Sequence, residues 1–86
     1  MESTQAIAAL SALAQSSRLD AFRLLVQNEP AGLPAGEIAK SLGAPQNTVS
    51  THLSVLQNSN LVVSERHGRS IIYRAQISTL REHMLF

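Results

Sequence analysis

Five side chains in the stretch PQNTVSTHLSVLQNSN, Pro45 to Asn60, have the types and spacing to read a surface by hydrogen bonding. Gln46, Asn47, Ser50, Thr51 and Ser54 follow offsets of 0, 1, 4, 5 and 8, which on a helix puts them along one side. All five are short and uncharged, and no Asp, Glu, Lys or Arg occurs between Pro45 and Asn60. A merely solvated helix face is normally rich in Lys and Glu. Neutral amides and hydroxyls suit nucleic-acid base edges instead, because Asn and Gln pair bidentately with adenine and Ser and Thr reach several bases.

Such a face must be held by its opposite side. Val49, Leu53 and Leu56 recur at i, i+4 and i+7, an apolar stripe that predicts burial. His52 leans toward that stripe and is expected to be structural, with phosphate contact as the alternative. A short helix is predicted upstream, roughly Ala35 to Leu42, with Glu37 in its first turn where the helix dipole favours a carboxylate. Gly43 supplies a left-handed stop, and Pro45 is expected to restart the chain at the first helical position, where its missing N–H costs nothing. Two helices joined by about three residues around a glycine form a helix-turn-helix, here about 35–59. Ala39, Gly43 and Val49 stand where that motif wants a small residue, a turn glycine and a buried β-branched residue.

Two further helices precede it. Ser3 to Gln15 is Ala-rich, with Ile7, Leu10 and Ala14 on one stripe, and faces either its own core or a second copy of the chain. Ser17 and Asp20 resemble a capping box for the next helix, in which Leu19, Phe22, Leu25 and Val26 repeat at core spacing. It should end near Asn28, because Glu29-Pro30-Ala31-Gly32 cannot continue it. Beyond Asn60, a candidate for the left-handed position, the period changes to that of strands. Leu61 to Arg66 and Arg69 to Ala75 are joined by His67-Gly68 as a hairpin of about 61–75. Val62, Ser64, Ile71 and Tyr73 are expected on its core face, with Val63 and Ile72 paired on the outer one. Arg66, His67 and Arg69 at the tip suit a phosphate or minor-groove contact, or simply keep a hairpin soluble. Ile77 to Phe86 closes as a short helix with Ile77, Leu80 and Met84 on a stripe.

Composition bounds the rest. Eighty-six residues with 44% hydrophobic content predict one small domain over 1–86, whose burial is marginal enough for a partner subunit to stabilise it. The absence of cysteine removes disulfides, thiolate metal sites, cysteine nucleophiles and thiol redox sensing. Without a basic n-region or an apolar run of about 18 residues, neither a signal peptide nor a membrane span is expected, and the location is read as cytoplasmic. Charge is uneven. Arg18 and Arg23 against Glu2, Asp20 and Glu29 leave −1 through Pro34; Lys40, Arg66, Arg69, Arg74 and Arg81 against Glu37, Glu65 and Glu82 give +2 thereafter. The three histidines are far apart, and no nucleophile arrangement or Gly-rich phosphate loop is present, which argues against an enzyme.

The fold class is therefore mainly α with a small β-hairpin, α+β, in the order α-α-α-α-β-β-α of a winged helix-turn-helix. LAQSSRLDAFRLL at Leu13 to Leu25, GEIAKSLGAPQNTVSTHLSVL at Gly36 to Leu56 and LVVSERHGRSIIYR at Leu61 to Arg74 resemble the ArsR/SmtB-type bacterial repressors. The resemblance implies a homodimer joined through the terminal helices, 3–15 and 77–86, with Ile7, Leu10, Ile77, Leu80 and Met84 at the interface. It implies double-stranded DNA as partner, a near-palindromic operator, and base contacts from Gln46, Asn47, Ser50 and Thr51. Arg66, His67, Arg69, Lys40 and Ser54 would then hold the backbone.

The chain also departs from the family. Its Cys-x-Cys metal site maps onto Pro34 and Gly36, and the acidic residue and histidine of its terminal-helix site map onto Ile77 and Thr79. No metal or other cofactor is therefore expected, and His83 beside Glu82 is a poor ligand set. The last helix is short for the family, as in a truncated or compact member. No motif specifies an effector. The reading from another class is a winged-helix module that docks a protein through the polar face or the terminal helices; an apolar patch rather than a positive rim would mark it.

Overall fold

The computed structural model describes residues 3–84, and the side chains of these apart from Ser3, Leu80 and residues 82–84. Leu80, Met84 and His83, singled out on the last helix, thus have side chains outside the described residues. The elements run α1 (Ser3–Leu13), α2 (Ser16–Gln27), β1 (Leu33–Pro34), α3 (Ala35–Leu42), α4 (Gln46–Asn58), β2 (Val62–His67), β3 (Ser70–Ala75) and α5 (Ile77–Met84).

The core forms where α4 packs against α1, α2, α3 and β2. Val49, Leu53 and Leu56 of α4 are buried, as their spacing predicts, against Phe22 and Leu25 of α2, Ile38 of α3, and Leu61 and Val62 leading into the hairpin. Side chains of this size contribute about 1.5–3 kcal/mol each when taken out of water. From α1 the core receives Ala9 and Ala12, whose small volume lets that helix approach closely. Leu19 is half-buried and Val26 exposed, so only part of the expected α2 stripe is core.

Local chemistry moved several boundaries. α1 stops at Leu13, two residues before the expected end, because Arg18 folds back onto it: Nε donates to the Ala12 carbonyl at 2.6 Å and Nη2 to that of Ser11 at 3.4 Å. The capping box at Ser17 and Asp20 does not form. Ser17 is already inside α2, and Gln15 caps it, its side-chain oxygen accepting from the Arg18 N–H at 2.9 Å. Pro45 is the residue before α4 and not its first turn, since its ψ of 145° is extended; its carbonyl accepts from the Val49 N–H at 3.1 Å. Gly43 does stop α3 in the left-handed region at φ 64°. Asn60 does the same after α4 at φ 60°, letting the Leu61 N–H reach the Leu56 carbonyl at 2.9 Å.

The hairpin turn lies one residue later than expected. His67 pairs with Ser70, so the two-residue loop is Gly68-Arg69, with Gly68 at φ 66° where the loop needs a positive value. Register puts Val62 opposite Ala75 and Ser64 opposite Tyr73, so Val62, Ser64, Ile71 and Tyr73 do share a face, but it is core only at its lower end: Val62 is buried and Tyr73 half-buried, while Ser64 and Ile71 are exposed. Val63 and Ile72 do not face each other; they oppose Arg74 and Glu65. A third strand was not foreseen. β1 pairs antiparallel with β3, Leu33 with Tyr73 and Pro34 with Ile72, making a sheet of order β1-β3-β2. A proline is tolerated on such an edge, where no donor is needed on the outer side.

Candidate nucleic-acid interface

α4 presents Gln46, Asn47, Ser50, Thr51 and Ser54 to solvent, all exposed, directly behind the buried stripe. Asn47 is partly committed to its own helix: its Oδ1 accepts from the Thr48 N–H at 2.9 Å, and the Thr51 hydroxyl donates to the Asn47 carbonyl at 3.1 Å. These bonds leave the Asn47 amide donors and the Thr51 acceptor capacity facing outward. The helix is tied to the hairpin by Gln57, whose Nε2 donates to Ser64 Oγ at 3.0 Å. His52 is half-buried, with Nδ1 enclosed and unpartnered among the described residues, a ring tucked against the core side.

The wing is braced from below by one arginine. Arg74 of β3 pairs with Glu29 after α2 at 3.3 Å and with Glu65 of β2 at 3.5 Å, while the other Glu29 oxygen accepts from the Ala75 N–H at 3.2 Å. The hydrogen bond and charge of Glu29 raise the Arg74 pKa further above its already high ordinary value, so the guanidinium stays charged. Gly32 fits beneath: at φ 74°, a Cβ there would come within 2.5 Å of the Tyr73 carbonyl and 2.6 Å of Arg74 Cγ. Sequence reading passed over this brace, whose partners are distant in the chain. An acid next to the helix-ending proline, facing an arginine at a strand end, was its only trace.

Arg66, His67 and Arg69 are exposed. Only Arg69 sits in the loop itself; Arg66 lies within β2 opposite Ile71, and His67 Nε2 is 3.7 Å from Glu65. Lys40 is exposed in the last turn of α3, where its charge also complements the helix dipole. The structure brings Gln46 and Ser50 together with Arg69 across a groove of ≈ 290 Å³ between α4, the start of α3 and the wing. Gly36, Ile71 and Tyr73 also line it, and none of these three was singled out as a site residue from the sequence. On α1 and α5, Ile7 (63% exposed), Leu10 (57%) and Ile77 (39%) present apolar surface. Thr79 is buried, its hydroxyl donating to the Asn60 carbonyl, so it fastens α5 to the end of α4.

A family model described as a helix-turn-helix domain matches residues 13–65. The HTH-type transcriptional regulator NmtR of Mycobacterium tuberculosis is 44% identical over 69 residues, 80% of this chain and 55% of that protein. A solution structure of a homodimeric winged helix-turn-helix DNA-binding domain from Mycobacterium bovis, a possible ArsR-family regulator, superposes with a TM-score of 0.81 at 29% identity, covering 95% of this chain and 74% of that one. The chain belongs to the ArsR/SmtB-type helix-turn-helix regulators. This is a family of transcription regulators and not of enzymes. The transcriptional activator HlyU of Vibrio cholerae is 31% identical over 71 residues, 83% of this chain and 63% of that protein. The chain therefore spans a little over half the length of the curated relatives it matches.

Proposed function

We propose that the protein binds a near-palindromic DNA operator as a homodimer and acts as a transcriptional repressor in the cytoplasm. Gln46, Asn47, Ser50 and Thr51 read base edges in the major groove, while Arg66, His67, Arg69, Lys40 and Ser54 hold the backbone. Ile7, Leu10, Ile77, Leu80 and Met84 join the two protomers, which relates the half-sites by the twofold axis of the protein. The observation that carries the reading is the exposed, uncharged face of α4 mounted on a fully buried stripe. Among the described residues none of the exposed large hydrophobics is on α4, which disfavours protein docking through that face.

The homodimer named for the Mycobacterium bovis structure supports the assembly, and the exposed Ile7, Leu10 and Ile77 give it an apolar surface to bury. Repression follows from a small dimer occupying a promoter-proximal operator; because HlyU is named an activator, the regulatory sense is measured directly with a reporter carrying the selected site. Selection from random duplex DNA tests the reading. A palindromic consensus is the expected result, and enrichment of no sequence would overturn specific binding.

A further inference from the structure

Adjacent major and minor grooves of a duplex are separated by a single sugar-phosphate strand. If α4 occupies the major groove and the wing the next minor groove, that strand passes between them. The inference below thus rests on the DNA-binding reading. What lies between α4 and the wing is the ≈ 290 Å³ groove, with Gly36 on one wall, Gln46 and Ser50 on the second, and Arg69, Ile71 and Tyr73 on the third.

Its chemistry suits one strand of backbone. Among the described residues Arg69 is the sole charged side chain lining it, and no carboxylate does. Ile71 is 41% exposed although it shares a sheet face with the buried Val62 and Ala75, so the face that packs on the core farther down is left bare at the groove. A deoxyribose ring presents apolar surface next to its phosphate, and the groove offers both an arginine and an exposed isoleucine on one wall.

Gly36 supplies the independent observation. Gly32 has no room for a side chain, and Gly43 and Gly68 have positive φ. Gly36 has neither reason: it lies in α3 without positive φ, and an added Cβ would meet only Gln46 Oε1, at an ordinary 3.6 Å. Gly36 is the second residue of α3 and its φ is not positive, so alanine there loses less chain entropy on folding and the fold does not lose from a methyl group. The space that Gly36 leaves opens into the groove.

We propose that this groove clasps the single sugar-phosphate strand between the two DNA grooves, with Arg69 on a phosphate, Ile71 against the adjoining sugar, and Gly36 on the wall that the backbone approaches. Gly36→Ala and Gly36→Val, with the wild type, are tested against the selected operator and an unrelated duplex, alongside thermal melting. Gly36→Ala should melt at or above the wild-type temperature yet bind both duplexes roughly tenfold more weakly, and Gly36→Val should lose more. A scan replacing one phosphate at a time by neutral methylphosphonate should find one position per half-site that weakens the wild type roughly tenfold and leaves Arg69→Ala unaffected. Wild-type affinity in a fully folded Gly36→Ala, or strictly additive effects of Arg69→Ala at every phosphate, would overturn the clasp while leaving DNA binding intact. Absence of any duplex binding by the wild type would instead overturn the reading beneath it.

Discussion

Helices α1 and α4 serve the same core and expose opposite chemistries. Both bury one side against α2, α1 with Ala9 and Ala12 and α4 with Val49, Leu53 and Leu56. Outward, α1 shows Ile7 and Leu10, while α4 shows Gln46, Asn47, Ser50, Thr51 and Ser54. Neither is the charged surface of an ordinary solvated helix. Exposed apolar surface gains by being covered and is indifferent to the partner's hydrogen-bond pattern; exposed neutral donors and acceptors gain little from water exclusion but discriminate by geometry. Under the proposed function, this contrast gives assembly to α1 and reading to α4. With no Lys or Arg between Pro45 and Asn60, α4 itself supplies little attraction to a polyanion, and the proposed reading draws that attraction from a second copy and from the wing.

Substitutions can break this contrast from either side. The largest effect is expected from Ile7→Asp with Leu10→Asp, which places carboxylates in the proposed interface: sedimentation should show dimer dissociation constants raised by about a thousandfold, with operator affinity falling in step. Unchanged association would remove α1 from the assembly. Leu53→Ala comes next, since it opens a cavity under the reading face; denaturant unfolding should show a loss of about 2–5 kcal/mol. Asn47→Ala or Ser50→Ala should cut preference for the operator over unrelated DNA by roughly tenfold, with dimerisation and melting unchanged. Equal losses on both duplexes would deny α4 its role as reader. The smallest expected change is in Arg69→Ala, where the slope of log affinity against log salt should fall by about 1 per protomer. An unaltered slope would separate the wing from the backbone.

Much of this was legible along the chain because it depends on neighbours in sequence. The buried stripe of α4 follows from helical period alone, and the stops at Gly43 and Asn60 follow from which residues tolerate positive φ. Boundaries were legible less sharply. Gln15 took the cap expected of Ser17, and the turn fell on Gly68-Arg69, because competing hydrogen bonds of similar strength decide such details. β1 escaped notice altogether: two residues carry no period, and Leu33-Pro34 is a strand only because β3 lies beside it.

The sequence by itself determined which side of α4 is buried and which residue types it leaves outside, since both follow from local period and side-chain chemistry; on α1, whose expected apolar stripe of Ile7, Leu10 and Ala14 is exposed, it left the buried side open. Only the tertiary structure decided what those residues stand next to. Arg74 became a brace because folding delivered Glu29 and Glu65 to it, and the groove exists because α3, α4 and the wing converge on it. Its walls come from separate segments whose spacing in the chain carries no record of their distance in space. Gly36 illustrates the limit: in sequence it is a weak helix residue, and only the neighbouring Gln46 and the wing turn its missing side chain into room.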